Sequence, residues 1–208
     1  NKRFEKLKKF QVFNGAKLKY LAFISMLIDH INNALITPML DGRGILLHLS
    51  NILSILGRIA FPIFVFFIVE GFFKTSNRRK YLLTLLIFGV ISEVPFDMFT
   101  SRTYFNPYWN NMMFTLALCL ITIWIIDTLK KKICNKVFWY AVSIIIVLIF
   151  GFISMTLSLD YDYHAIITAY LFYIFLYSSK IFHRFVLFVC LFFAECRNSK
   201  WGRDFRRE

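Results

Sequence analysis

Residues 17–36, KLKYLAFISMLIDHINNALI, read as a membrane-spanning helix that holds two ionisable side chains, Asp29 and His30, inside an apolar run. Each such group at mid-bilayer costs roughly 2.5 kcal/mol or more. Where a span keeps them, they face the protein interior and mark a pathway or a reaction. Arg58, Glu93 and Asp97 interrupt later apolar runs in the same way. The fold and the function both turn on whether these five side chains share one site.

Composition decides the setting. The 208 residues are 58% hydrophobic and only 18% charged, with 26 phenylalanines, and the mean hydropathy is +0.60. A soluble domain is typically about 45–50% apolar with about 25% charged residues. The excess apolar surface places the chain in a membrane. The net charge of +13 does not point to nucleic acid, because the basic residues lie in short segments between apolar runs, as cytoplasmic loops do. Such loops are drawn to anionic inner-leaflet lipids. Cys119, Cys134, Cys190 and Cys196 form no CxxC pair and read as free thiols in apolar segments. The first run is too long for a signal peptide, contains Asp29 and lacks a small-residue cleavage site.

The expected fold is all-α, a polytopic transmembrane helix bundle of about seven spans. A basic arm (1–17) precedes a transmembrane domain (18–195), and a polar basic tail (196–208) follows. The spans fall at 18–37, 51–73, 81–99, 110–128, 138–157, 163–178 and, shortest, 181–195, since a helical span needs roughly 20 apolar residues. Residues 45–51 read as a short amphipathic approach to the second span. Asp41-Gly42-Arg43-Gly44 and Ser76-Asn77 punctuate the first two connections. The runs lack period-2 alternation, which argues against a barrel.

Lys and Arg set the orientation. They crowd the N-terminal arm, the connection Lys74, Arg78, Arg79 and Lys80, and the connection Lys130, Lys131, Lys132 and Lys136, while the alternate connections carry few. This puts the N-terminus in the cytoplasm of a multi-pass protein of the cell membrane. The tail, with Arg197, Lys200, Arg203, Arg206 and Arg207, runs against the rule if all seven segments cross.

Orientation gives depth. At about 1.5 Å per residue, His30 lies about 18 Å from the inner end of its span, Arg58 about 10 Å below an outer end, and Glu93 and Asp97 about 18 and 24 Å from an inner end. Acid, base and cation are thus expected in one outer-half layer. Glu93 and Asp97 are i,i+4 partners on one helix face. Asp29 and His30, being adjacent, point about 100° apart, so a carboxylate from another span is expected to orient His30. Pro62 and Pro95 mark expected irregular backbone beside the layer. The catalytic candidates are His30, Asp29, Arg58, Glu93 and Asp97; a purely structural Arg58 ion pair is the bland alternative. His30, His48 and His164 match no metal spacing, and no metal is expected.

The joined motifs Asp29-His30, Gly57-Arg58 with Phe61-Pro62, Glu70-Gly71, Arg79-Lys80-Tyr81 and Ser92-Glu93-Val94-Pro95-Phe96-Asp97, followed by an Asn at the head of the next span, resemble the TraX family of membrane proteins. The resemblance covers residues 17 to about 125; the later half matches mainly by hydropathy. Family members continue past a polar stretch into a last helix with a Tyr-Pro-x-His pattern, whereas this chain ends within ECRNSKWGRDFRRE.

TraX of conjugative plasmids is known for N-terminal acetylation of pilin. The family is also similar to transmembrane acyltransferases such as heparan-alpha-glucosaminide N-acetyltransferase, which pass an acyl group from cytosolic coenzyme A across the membrane. The resemblance therefore implies acetyl-coenzyme A as donor and a pilin-like N-terminus, or another outward-facing amine or hydroxyl, as acceptor. On that scheme Arg78, Arg79 and Lys80 attract the coenzyme A phosphates, and Asn110 and Asn111 bind the acceptor. His30 acts as general base or acyl carrier, and Arg58 meets the oxyanion. Glu93, Asp97 and Asp29 orient His30 or hold an acceptor amine. The partners are membrane lipids and the acceptor, and an oligomer is compatible with the sequence. The rival readings are a proton-coupled transporter or channel and a non-enzymatic assembly factor of a pilus or conjugation system.

Overall fold

The computed structural model describes residues 15–39 and 44–175. The basic arm as far as residue 14, the first three residues of the Asp41–Gly44 turn, the end of the sixth span, the seventh span, His183, Cys190, Cys196 and the tail lie outside the described residues.

Among the described residues the chain is all α. The helices are α1 Gly15–Ile31, α2 Ile45–Arg58, α3 Ala60–Lys74, α4 Arg78–Thr100, α5 Met112–Lys130, α6 Lys136–Thr156 and α7 Asp162–Phe175. A π-helical turn, Asn32–Ile36, and a 3-10 turn, Thr37–Met39, extend α1. Among the described residues, four helical runs are long and apolar enough to cross a membrane: Ile45–Lys74, Arg78–Thr100, Met112–Lys130 and Lys136–Thr156. They coincide with the second to fifth expected spans.

Two details differ from the sequence reading. Residues 45–51 are not a separate approach segment; they are the first turns of α2. Pro95 does not break α4, which runs through it. Pro62 does coincide with a break. It has no N–H to offer the carbonyl of Arg58 four residues back, and the regular helix is interrupted at Ile59, whose backbone stays in the helical region, before α3 resumes with Pro62 in its first turn.

Asparagines start three of the helices. Asn77 accepts from the Lys80 N–H at 2.9 Å, Asn111 from Met113 at 2.8 Å, and Asn135 from Val137 and Phe138 at 2.9 and 3.3 Å. Each satisfies N–H groups that a helix start leaves open.

The described residues fall into two compact units, one ending at Phe64 and the other starting at Val65. In the first, α1 and α2 pack side by side. In the second, α5 is central and packs on α4, α6 and α7. Leu120, Ile123 and Ile126 of α5 are fully buried, as are Ala165, Ile166, Ala169 and Phe172 along one face of α7. Ile87, Phe88, Val90 and Ile91 of α4, and Ile144, Ile145, Leu148 and Phe152 of α6, face outward. An apolar exterior of that extent suits lipid rather than water.

Hydrogen bonds fix the two ends of the second unit. At one end Arg78 of α4 meets Asp127 of α5, and the Trp139 indole of α6 donates to the Ile126 carbonyl. At the other, Asn111 meets Glu93, and Asn110 meets the connection between α6 and α7. One end is therefore basic, and the other carries Glu93, Asp97 and the loop 101–110.

Candidate functional site

The candidate residues of the first unit lie on α1 and α2. The His30 Nδ1 is 2.8 Å from the carbonyl of Met26, one helical turn back. A carbonyl only accepts, so Nδ1 carries the proton and Nε2 is the basic nitrogen of the neutral ring. One ring nitrogen is thus oriented by backbone, a solution the sequence reading, which looked to a carboxylate, did not anticipate. The Asp29 carboxylate accepts from the Asn33 amide at 3.1 Å.

Directly after this pair the helix widens into the π turn, a distortion that recurs at functional sites. Asn32 opens it and is fully buried. Its amide donates to the Ser50 carbonyl at 3.2 Å and to the Ser54 hydroxyl at 2.9 Å, and its Oδ1 has no partner. The polar link clamps α1 to α2. Gly57 completes the approach, because a Cβ there would collide with the Asp29 side chain. The Gly57-Arg58 motif thus has a steric basis: the glycine admits Asp29, and the next residue, Arg58, is buried.

The candidate residues of the second unit are Glu93 and Asp97. The Asn111 amide reaches the Gly89 carbonyl at 2.8 Å and the Ser92 hydroxyl at 3.1 Å, and makes a short bond to Glu93 Oε2. The Asn111 backbone N–H also donates to that oxygen, at 3.3 Å. Asp97 is fully buried. Its Oδ2 accepts from the Asn106 N–H at 2.8 Å, and the Asn106 amide in turn donates to Ser101 at 2.6 Å. Asp97 therefore anchors the loop 101–110. Glu93 Oε1 and Asp97 Oδ1 are buried without a partner. Each such acceptor costs about 1–3 kcal/mol unless a donor reaches it, so the pair retains capacity for N–H or O–H donors.

The five catalytic candidates are thus grouped as Asp29, His30 and Arg58 in one unit, and Glu93 and Asp97 in the other. Asn110 and Asn111 both bind protein. Asn111 holds Glu93, while the Asn110 amide donates to the Leu157 carbonyl at 2.7 Å and its backbone exchanges bonds with Ser158 and Asp160. Asn110 thereby stiffens the connection to α7, where Ser158, Tyr161 and Asp162 take left-handed backbone conformations.

At the basic end, Arg79 and Lys80 are exposed on the first turn of α4. Arg78 is half-buried and donates to Asp127 at 3.1 Å, with its guanidinium 4.0 Å from the centre of the Phe72 ring. Tyr173 donates to the other Asp127 oxygen at 3.1 Å. Sequence reasoning passed over Asp127. The available signal was that Asp127 is the sole acid between Asp97 and Asp160. Glu70 pairs with Lys74 at 2.6 Å, and the neighbouring Gly71 makes room for Tyr81, whose hydroxyl would lie 2.9 Å from an added Cβ. Among the described residues no three His, Cys, Asp or Glu side chains are grouped to hold a metal.

Comparison with known proteins places these motifs. The chain is 38% identical over 120 residues to a Dichelobacter nodosus protein named "Probable fimbrial assembly protein FimC, serogroup H1", covering 54% of this chain and 46% of that protein. The chain thus spans about half the length of the curated relative it matches. No solved structure matches. The family model described as TraX protein matches residues 14–202, and the chain belongs to the TraX family.

Proposed function

We propose that this chain is a membrane-embedded acyltransferase that moves an acetyl group from coenzyme A to an amine or hydroxyl on the far side of the membrane, with a pilin-like protein N-terminus as the favoured acceptor. The observation that carries the reading is the state of His30. With Nδ1–H committed to the Met26 carbonyl, Nε2 is the basic nitrogen, suited to take a proton from the acceptor or to carry the acyl group. The resemblance to a family known for pilin acetylation supplies the reaction class, and the name of the Dichelobacter relative agrees with a pilus-related acceptor.

In the direct form of the reaction, the acceptor nitrogen or oxygen attacks the thioester carbonyl and loses its proton to His30. The oxyanion then collapses, and coenzyme A leaves as the thiol. Arg58 is the candidate to meet the oxyanion. Glu93 and Asp97, each with an open acceptor oxygen, are the second unit's own candidates to bind an amine. Arg78, Arg79 and Lys80 take the donor's phosphates at the basic end.

Transfer of label from radiolabelled acetyl-coenzyme A to candidate acceptors, with purified full-length protein in lipid, tests this. His30→Ala is expected to lower the rate by about 100-fold or more, and undiminished transfer by that variant would sink the proposal. The relative's name also favours a second reading, a non-enzymatic assembly factor. That reading predicts that co-purification with pilus components survives replacement of Asp29, His30, Arg58, Glu93 and Asp97 together.

A further inference from the structure

Asp127 sits where an acid is least welcome. It lies in the last turn of α5, where the helix dipole favours cations, and Lys130 and Lys131 follow it. It is nevertheless 6% exposed. Its two oxygens are met by Arg78 and Tyr173, each at 3.1 Å, and Lys131 stands 3.9 Å away.

We propose that the basic end of the second unit is a phosphate-ester site centred on Arg78, and that Asp127 is the positioning residue that builds it. The guanidinium is held on two sides, by Asp127 through one N–H and by the Phe72 ring across one face. Its side chain remains 28% exposed. A guanidinium carries five N–H donors in a planar fork. Asp127 takes one, and the rest of the fork stays available to a bidentate anion, for which phosphate is the matched geometry. Arg79 and Lys80 follow on the same helix, Lys131 is 72% exposed, and Lys130 lies 4.7 Å over the Trp139 ring. Glu70 is paired with Lys74, and Asp127 alone among the remaining cations leaves the end positive. Fixing an arginine beforehand removes the ordering cost that a mobile one pays on binding.

For its ligand this inference rests on the acyltransferase reading, in which the phosphate ester is coenzyme A. An anionic lipid headgroup offers the same chemistry.

The two roles open to Asp127 predict opposite signs. If Asp127 is only a counter-charge, Asp127→Asn adds a positive charge and tightens anion binding. If it positions Arg78, the same change loosens binding despite the added charge. The test uses the full chain in phosphatidylcholine nanodiscs, with coenzyme A affinity measured by calorimetry. A second arm measures, by native mass spectrometry, the retention of phosphatidylglycerol over phosphatidylcholine.

Asp127→Asn and Arg78→Lys are each expected to weaken binding by about tenfold. Tyr173→Phe, which leaves every charge in place, is expected to weaken it about threefold and covers the case in which Asp127→Asn fails to fold. Loss of coenzyme A affinity supports the site and the coenzyme A reading together. Loss confined to phosphatidylglycerol retention, with no coenzyme A bound by any variant, supports the phosphate site and removes coenzyme A as its ligand. Unchanged or tighter binding of both probes by Asp127→Asn, or no binding of either by the native chain, overturns the inference.

Discussion

Asn111 joins two helices through one side chain. Its oxygen caps α5, and its amide reaches Gly89, Ser92 and Glu93 on α4. Asn111→Ala removes the cap and strips donors from Glu93, so it is expected to destabilise the protein by about 2–3 kcal/mol, read from unfolding in mixed micelles. Asn111→Asp keeps the cap but loses the amide donors and sets a second carboxylate beside Glu93. It is expected to be at least as damaging as alanine; a stability equal to the native chain would show that the cap alone matters. At this scale the sequence announced Asp29, His30, Arg58, Glu93 and Asp97, because ionisable groups in apolar runs are conspicuous. Asp127 was not conspicuous, since an acid beside lysines at the end of a span reads as headgroup-level polarity. Its partner Arg78 is 49 residues away, and no local pattern encodes the register between α4 and α5. The Met26 carbonyl that orients His30 is invisible to any reading of side chains.

Helix contacts depend on glycines. A Cβ at Gly57 would collide with Asp29, and one at Gly89 would lie 3.1 Å from the Phe114 ring. Small residues let membrane helices approach where no hydrophobic drive joins them. Gly57→Ala is expected to cost about 1–3 kcal/mol through overpacking and, on the proposed acyltransferase reading, to reduce transfer by moving Asp29. Gly15→Ala, with nothing within 4 Å of the added methyl, is the control and should be neutral or slightly stabilising. Equal effects of the two changes on unfolding would refute the packing argument. The elements themselves were legible, because unbroken apolar runs have only one satisfied conformation in lipid. The extent of the second span was not, because His48, Ser50 and Asn51 interrupt the apolar run that the helix passes through. Each proline leaves the carbonyl four residues back without its helical N–H, Arg58 for Pro62 and Ile91 for Pro95, and only near Pro62 is the helix interrupted.

Across the second unit, charge is polarised along the helix axes, with Arg78, Lys130 and Lys131 at one end and Glu93, Asp97 and the loop 101–110 at the other. By the positive-inside rule the first end is expected to be cytoplasmic. Cys134 is exposed at the basic end. In a background lacking Cys190 and Cys196 it is expected to react with an impermeant maleimide only in inverted vesicles, and Tyr104→Cys, in the exposed loop, only in intact cells. The opposite pattern would invert the orientation and with it the proposed direction of acyl transfer. The charge rule made this polarity readable from the chain; the grouping of the five candidates into two units was not readable, because depth along a span says nothing about which helices are neighbours.

The run Ile45–Lys74 has 30 residues, about 45 Å of helix, against a hydrocarbon core of about 30 Å. The helices α4, α5 and α6, with 23, 19 and 21 residues, span about 28–35 Å and match that core. Upright, the long run overshoots the bilayer, so it must tilt, project or bend, and the turn at Ile59 is where bending is cheapest. Arg58 is the residue before that turn. Bilayer thickness is therefore a mechanical input to the depth of this arginine, set by the chain length of the surrounding lipid.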